Sequence, residues 1–299
     1  AGVGRRPWPH RDAAHGACRT DQLSVSGPSA PEAAATGTTN PDRVADLVRR
    51  DRLLVGGALV AITALSWAWL AAGAGMDMDM GGMDPDMVMP MEWTASLFAV
   101  MFLMWWIMMI AMMVPSAAPM ILLFATVNRR QRAMAAPWVP TGIFAAGYLA
   151  AWAVYSGLAT GLQWLLDRSG LMTMAMASAA DWLGAVLLMA AGAWQLTPLK
   201  HACLEHCRSP FAFVSQHWRP GPMGAFRMGL RHGSYCVACC WAVMGLLFYA
   251  GVMNFAWIAG LAIFVLVEKL LPAGHRFGQV SGYVFLAWGL GLVVHAVVS

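Results

Sequence analysis

The sequence SLFAVMFLMWWIMMIAMMV at residues 96–114 contains no charged side chain. The hydrocarbon core of a bilayer is about 30 Å thick, and a helix needs roughly 20 apolar residues to cross it. The apolar run continues as far as residue 127, so we predict a transmembrane helix over residues 96–127. Pro115 and Pro119 lie inside this helix, and each removes a helical hydrogen bond, which predicts a bend.

The rest of the chain repeats this apolar pattern. The protein has 299 residues, of which 59% are hydrophobic and 11% are charged, whereas soluble domains carry about 25% charged residues. We therefore predict an all-α, polytopic transmembrane helical bundle with about seven spans. The predicted spans are residues 53–75, 96–127, 139–166, 182–198, 234–250, 254–271 and 279–298. Residues 1–50, rich in Ala, Pro, Gly, Ser and Thr, are predicted to form a disordered tail, and residues 51–299 the transmembrane domain.

Lysine and arginine fall in alternate segments between the predicted spans. Cytoplasmic loops carry an excess of these residues, so the N-terminus is predicted to be cytoplasmic and the C-terminus outside. Basic residues lie within 43–52, 129–132, 200–231 and 269–276, whereas the intervening loops contain only Arg168. This orientation predicts an outer loop at 76–92 and a cytoplasmic loop at 199–233. The small net charge of +4 favours contact with the lipid bilayer and not with nucleic acid.

The predicted outer loop is rich in methionine and aspartate. Seven methionines, among them Met78, Met80 and Met83, alternate with four aspartates in residues 76–91, without a basic residue. Thioether sulfur is a soft, uncharged donor that suits Cu(I), and the carboxylates attract cations. The pattern favours copper capture, and the alternative is a flexible apolar lip at the bilayer surface.

The helix predicted at 96–127 carries a methionine stripe that continues from this loop. Met104, Met108 and Met112, preceded by Met101, fall within an arc of roughly 80° at about 100° per residue. Such a stripe can pass a soft ion between thioethers. Methionine is also a flexible filler of helix packing, and the sequence leaves these two interpretations equally balanced.

Five of the six cysteines lie in two short groups beside histidines. The candidate metal ligands are His201, Cys203, His206 and Cys207 in the first group, and His232, Cys236, Cys239 and Cys240 in the second. In a helix, residues three and four apart share a face. Close cysteines facing a reducing cytosol are typical of metal ligands or redox centres. Cu(I), or Zn(II) as a second candidate, suits such thiolates and imidazoles; the alternative is that the cysteines are small apolar helix residues.

Two charged residues, Glu268 and Lys269, lie at the predicted inner end of the sixth span. A lysine near the end of a membrane helix commonly extends its ammonium group to the interface. We therefore expect Lys269 to reach the inner interface and Glu268 to pair locally. Neither residue is predicted to be a metal ligand.

Four motifs add a resemblance to these inferences. They are AMMVP at 111–115 followed by Pro119, LKHACLEHCRSP at 199–210, CVACCWAVM at 236–244, and Glu268-Lys269 followed by Pro272. Together they resemble a family of bacterial predicted metal-binding integral membrane proteins, a domain of unknown function sometimes labelled copper chaperone. The resemblance covers roughly residues 50–298. It implies a multi-pass metal-binding protein of the bacterial inner (plasma) membrane and supplies no mechanism.

Three functional hypotheses follow. The preferred one is Cu(I) capture by the outer loop and transfer through the Cys/His groups to a soluble or membrane metal-accepting protein, from weak thioethers to tighter thiolates. The second is a membrane thiol–disulfide oxidoreductase using the CxxC motif at 236–239 and the Cys203/Cys207 pair. The third is a non-catalytic subunit of a membrane complex. No Walker loop, GxSxG elbow, HExxH motif or dinucleotide fingerprint is present, so the chain is predicted not to be an enzyme; its oligomeric state is left open.

Overall fold

The structure of the protein is a computed structural model that describes residues 41–73, 87–88, 91–131, 138–173 and 176–298. These residues are helical apart from short connections and one isolated β-bridge between Met172 and Ser178. The predicted all-α fold is therefore confirmed. The helices are α1 (Pro41–Ala71), α2 (Ala95–Gln131), α3 (Trp138–Arg168), α4 (Asp181–Gln195), α5 (Pro198–Arg208), α6 (Pro210–His217), α7 (Pro222–Gly245), α8 (Leu247–Ala250), α9 (Phe255–Leu270) and α10 (Gly274–Val298).

All seven predicted spans coincide with helices, but two of those helices are short. Helices long and apolar enough to cross a membrane are Ala45–Ala71, Ala95–Arg130, Pro140–Arg168, Pro222–Ala250 and Gly274–Val298. α4 has 15 residues and meets α5 at a bend of 67°, so the two helices together make one broken span or a re-entrant segment. α9 has 16 residues and is about 24 Å long, which is less than the hydrocarbon thickness. Within the described residues, the predicted count of about seven is therefore corrected to five helices of full span length, or six with the bent pair.

The predicted boundary between the tail and the transmembrane domain, at residue 50, falls inside α1. α1 begins at Pro41, so residues 41–50 are helical, while residues 1–40 lie outside the described residues. The Arg129 guanidinium at the end of α2 donates two hydrogen bonds to the Asp51 carboxylate, one of them 2.8 Å long. This buried pair holds the first half of α1 against α2.

The predicted cytoplasmic loop at 199–233 is mostly helical. Pro198, Pro210 and Pro222 stand at the starts of α5, α6 and α7, where the missing N–H of proline costs no helical hydrogen bond. Thr197 caps α5 because its hydroxyl accepts a hydrogen bond from the backbone N–H of Lys200, at 3.2 Å. The cysteines of this segment therefore have fixed directions.

The first three helices run in alternating directions. The Asp51–Arg129 pair joins α1 to the end of α2, and we call this the basic end of the bundle. At the opposite end, which we call the far end, the indole N–H of Trp93 donates to the Asp167 carboxylate near the end of α3, at 2.7 Å. The prediction that the basic end is cytoplasmic stays a prediction.

Glycines bring α3 and α7 into the most extensive helix–helix contact among the described residues. A Cβ added to Gly147 on α3 would lie 2.2 Å from the Phe226 carbonyl oxygen, and one added to Gly229 on α7 would lie 1.9 Å from the Phe144 carbonyl oxygen. Small residues let membrane helices approach closely. This contact brings Tyr148 on α3 against the cysteines of α7.

The close approach predicts the effect of one added methyl group. Gly147→Ala should lower the free energy of unfolding by about 1–3 kcal/mol, because the backbone atoms that it meets cannot rotate away. Gly161→Ala on the same helix is the matched control, since an added Cβ there meets nothing within 4 Å. Thermal unfolding in detergent measures both variants; equal midpoints for the two would contradict the inferred packing.

Candidate metal centre

Four cysteines from two helices lie close together. The Cys239 sulfur is 4.0 Å from that of Cys207 on α5 and 3.2 Å from that of Cys240. Cys236 lies one helical turn before Cys240 on α7, and all four residues are free thiols. The helical spacing of residues 236, 239 and 240 puts three sulfurs on one side of α7. We call these four residues the thiol cluster.

The thiol cluster lies inside the bundle rather than in a surface loop. Cys236, Cys239 and Cys240 are at most 1% exposed, whereas Cys207 is partly exposed. Cys236 is about 21 Å along the helix axis from Pro222, near the middle of the Pro222–Ala250 span. Cys207 is therefore the least buried residue of the cluster.

The Lys269 ammonium group points into the thiol cluster. Its Nζ is 2.8 Å from the Cys236 sulfur and 3.2 Å from the Ser116 hydroxyl on α2. The expectation that Lys269 reaches the interface is wrong, because α9 is short and its last turn ends inside the bundle, where the ammonium finds these partners. A buried cation at this position stabilises negative charge on the sulfurs.

Glu268, next to Lys269 in the chain, pairs with a distant residue. The Glu268 carboxylate accepts a hydrogen bond from the Lys200 ammonium of α5, and both side chains are at most 1% exposed. The expected local pairing is therefore wrong. Gly278 of α10 leaves room for this carboxylate, since an added Cβ would lie 2.6 Å from Glu268 Oε1. The pair fixes α5, which carries Cys207, against α9, which carries Lys269.

Tyr148 and His232 border the thiol cluster on the side of α3. The Tyr148 hydroxyl lies 3.1 Å from the Cys236 sulfur and donates to the Met113 carbonyl oxygen at 3.3 Å. His232, one helical turn before Cys236, is 3% exposed, and its Nδ1 has no hydrogen-bond partner in the described part of the chain. The ring centroids of His232 and Tyr148 are 5.8 Å apart. Sequence analysis missed Tyr148 because a single tyrosine in an apolar helix carries no pattern.

Three predicted ligands lie outside the thiol cluster. Cys203 is buried one turn before Cys207, and its sulfur contacts no other sulfur among the residues described here. His201 stacks on His275 with ring centroids 4.0 Å apart, and His206 stacks on Tyr235 at 4.5 Å. The direction of α5 explains this difference, since only its Cys207 turn meets the cysteines of α7.

The predicted methionine stripe faces the interior of the bundle. Met104, Met108 and Met112 are at most 2% exposed, and so is Met101. This burial suits both a packing role and an ion route, so the predicted metal role stays a prediction. Met78, Met80 and Met83 of the outer loop lie outside the described residues.

The donor set of the thiol cluster fits a soft ion, although its present geometry is that of hydrogen-bonded thiols. Sulfurs that share an ion at about 2.3 Å in tetrahedral geometry are about 3.8 Å apart. The Cys207–Cys239 distance of 4.0 Å is close to this value, whereas the Cys239–Cys240 distance of 3.2 Å is shorter. No group of three or more His, Cys, Asp or Glu side chains in the described ranges is already arranged to hold an ion. Ion binding would therefore require side-chain rotation.

Comparison with protein families gives a match over most of these helices. The family model described as copper chaperone (PpoB2) matches residues 102–292. The chain belongs to this family. The matched range contains the thiol cluster, Lys200, Glu268 and Lys269, and begins after the methionine-rich loop. The resemblance predicted from the four motifs is thus confirmed, and no curated protein and no solved structure shows significant similarity to the chain.

The buried Lys200–Glu268 pair predicts a large effect of removing one partner. Glu268→Gln should destabilise the protein by about 3–5 kcal/mol, because it leaves the Lys200 ammonium buried without a counter-charge. Adding Lys200→Met should restore much of the loss, since the double variant buries no unpaired charge. Thermal unfolding in detergent is the measurement, and a double variant less stable than Glu268→Gln would refute the pairing.

Proposed function

We propose that this member of the copper chaperone family binds Cu(I) as cargo at the thiol cluster and passes it to a metal-accepting protein. The observation that carries this proposal is the grouping of four free thiols from α5 and α7 beside a buried ammonium group. Thiolate sulfur is a soft donor that favours Cu(I) and Zn(II) over harder ions. The family description points to the same metal.

The charge of Lys269 is compatible with Cu(I) as the cargo. A Cu(I) ion held by two thiolates has a net charge of −1, and the ammonium group beside Cys236 brings the site to neutrality. An unbalanced charge inside a membrane bundle is costly. Zn(II) would need three thiolates for the same balance, so the number of sulfurs bound distinguishes the two metals.

Cys207 is the thiol through which the Cu(I) ion passes to an acceptor protein. It is the least buried residue of the cluster, and it lies one residue before Arg208, whose guanidinium donates to the carbonyl oxygens of Leu271 and Pro272. A thiol of an acceptor protein that approaches along α5 would meet Cys207 first. In this proposal the basic end of the bundle faces the cytoplasm of a bacterium, and the ion reaches Cys207 from the thioethers of α2.

Removal of the cluster thiols tests the proposal. The variant with Cys207, Cys236, Cys239 and Cys240 changed to serine should lose the copper that the unmodified protein retains after purification under reducing conditions. Cys203→Ser is the matched control, because Cys203 lies on the same helix as Cys207 and outside the cluster. Copper and zinc per chain are measured together with free thiols.

Other results of this measurement would indicate a different cargo or a different function. Copper retained without the four thiols would overturn the proposal, and zinc in place of copper would change the cargo. Metal-free protein with a reversible Cys207–Cys239 disulfide would instead favour the oxidoreductase, since the 4.0 Å spacing of these sulfurs suits exchange. If the thiols bind no metal and do not oxidise, the remaining hypothesis is a non-catalytic subunit of a membrane complex.

The ammonium group itself gives a second prediction. Lys269→Met should weaken Cu(I) binding at least about tenfold, since a loss of only about 1.4 kcal/mol of charge stabilisation has that effect. The metal-free variant should be at least as stable as the unmodified protein, because methionine replaces a buried cation. Arg276→Met, which removes an exposed charge from α10, is the control and should leave affinity unchanged.

Competition with a Cu(I) chelator gives the affinity, and thermal unfolding gives the stability. A purely structural role for Lys269 would show the reverse result. Stability would fall, and the affinity of the protein that remains folded would be unchanged.

A further inference from the structure

Two methionine sulfurs from separate segments meet at one buried amide near the far end. The Nε2 of Gln163 on α3 lies 3.4 Å from the sulfur of Met176 and 3.7 Å from the sulfur of Met101 on α2. All three side chains are buried, and Gln163 is 0% exposed. Both thioethers therefore face the same point inside the bundle.

The orientation of the Gln163 amide is fixed by a third residue. The indole N–H of Trp105 donates to Gln163 Oε1 at 2.7 Å, so the amide N–H groups point at the two sulfurs. A thioether sulfur has two lone pairs and is a weak acceptor. An N–H contact uses one lone pair of each sulfur and leaves the other available to an ion.

Met176 reaches this point through an uncommon backbone conformation. Its φ is +56°, and among the described residues it is the one non-glycine with a positive φ. Such a conformation is unfavourable for most side chains and persists where the surroundings hold it. Here the Met176 carbonyl oxygen accepts a hydrogen bond from Val252 at 3.2 Å, and the Met176 N–H donates to the Thr173 carbonyl oxygen at 2.9 Å. The connection between α3 and α4 is thus held in a form that turns this thioether inward.

The pair lies between Met91 and the buried stripe of α2. Asp167, one turn after Gln163 on α3, accepts a hydrogen bond from the backbone N–H of Met91, the last methionine of the loop, at 3.0 Å. In the other direction, Met104 follows Met101 by one turn of α2 and is 0% exposed. Methionine residues therefore flank the position on both sides.

We propose that Met101 and Met176 form a second soft-ion site, which takes a monovalent soft cation such as Cu(I) through two thioether sulfurs. Gln163 is the positioning residue that holds the two sulfurs together. As a binding site the pair stands independently, and its role as an entry station for the thiol cluster rests on the proposed function. Two neutral donors bind weakly and exchange readily, which suits a station on a route rather than a store.

Methionine methyl NMR tests this site residue by residue. The full-length chain, with the four cluster cysteines changed to serine, is labelled with ¹³C at the methyl groups of its 23 methionines and titrated with Ag(I), a soft monovalent ion that does not change oxidation state. The Met101 and Met176 signals should shift together with one binding isotherm. Met228 is the matched control, since its sulfur is also buried and contacts a backbone N–H, that of Arg219 at 3.3 Å; its signal should not shift.

Two variants separate binding from packing. Met101→Leu should abolish the shift of Met176, because a single thioether remains. Gln163→Leu should weaken the common isotherm at least tenfold, because the sulfurs are no longer held together. The proposal is overturned if neither methyl group responds, if both respond only to the extent that Met228 does, or if Met176 responds equally in the Met101→Leu variant.

Copper analysis of the unmodified protein and methyl NMR of the four-serine protein together keep the two proposals distinguishable. If the unmodified protein holds no copper at its thiols but the Met101 and Met176 signals still move together, the thiol proposal fails and the thioether site stands. If copper is held by the thiols and the methyl signals are silent, the thioether site fails alone.

Discussion

The contact between the Lys269 ammonium group and the Cys236 sulfur, 2.8 Å apart, is the interaction on which the candidate site depends. A cation inside a membrane bundle is stable only where polar partners surround it. Thiols and the Ser116 hydroxyl are those partners here, and in turn the ammonium group favours an anionic form of the sulfurs. The same atom thus explains why a lysine can be buried at the end of α9 and why the cysteines of α7 suit a cation.

A second buried charge pair positions Cys207, the cluster thiol on α5. Lys200 on α5 and Glu268 on α9 form an ion pair with almost no exposure, and each lies close in sequence to a residue of the site. Lys200 fixes the start of the helix that carries Cys207, and Glu268 fixes the turn that carries Lys269. The bend of 67° between α4 and α5 directs α5 toward α7. A buried ion pair adds little net stability, but the loss of one partner is strongly destabilising. The Lys200–Glu268 pair therefore keeps α5 and α9 in contact.

The methionine stripe and the thiol cluster lie on different helices. Thioethers lie along α2 and at the Gln163 amide near the far end, whereas the thiols meet midway along α7. Thioethers bind without losing a proton, and thiols must lose one before they bind tightly. A cation such as Lys269 next to the thiols favours their deprotonation and therefore their binding of a soft ion.

The sequence alone was sufficient for the class of fold and for the local arrangement of donors. A long apolar run must be helical in a bilayer because every backbone polar group has to be satisfied within the segment, and helical spacing then puts Cys236, Cys239 and Cys240 on one side of α7. It did not determine that Cys207 rather than Cys203 joins them, that Lys269 points inward, or that Met176 meets Met101. Each of these contacts joins residues far apart in the chain, and it depends on where helices cross, how short α9 is and how the α3–α4 connection turns. Only the tertiary structure decides these features, because local periodicity specifies which residues share a face and not which faces meet.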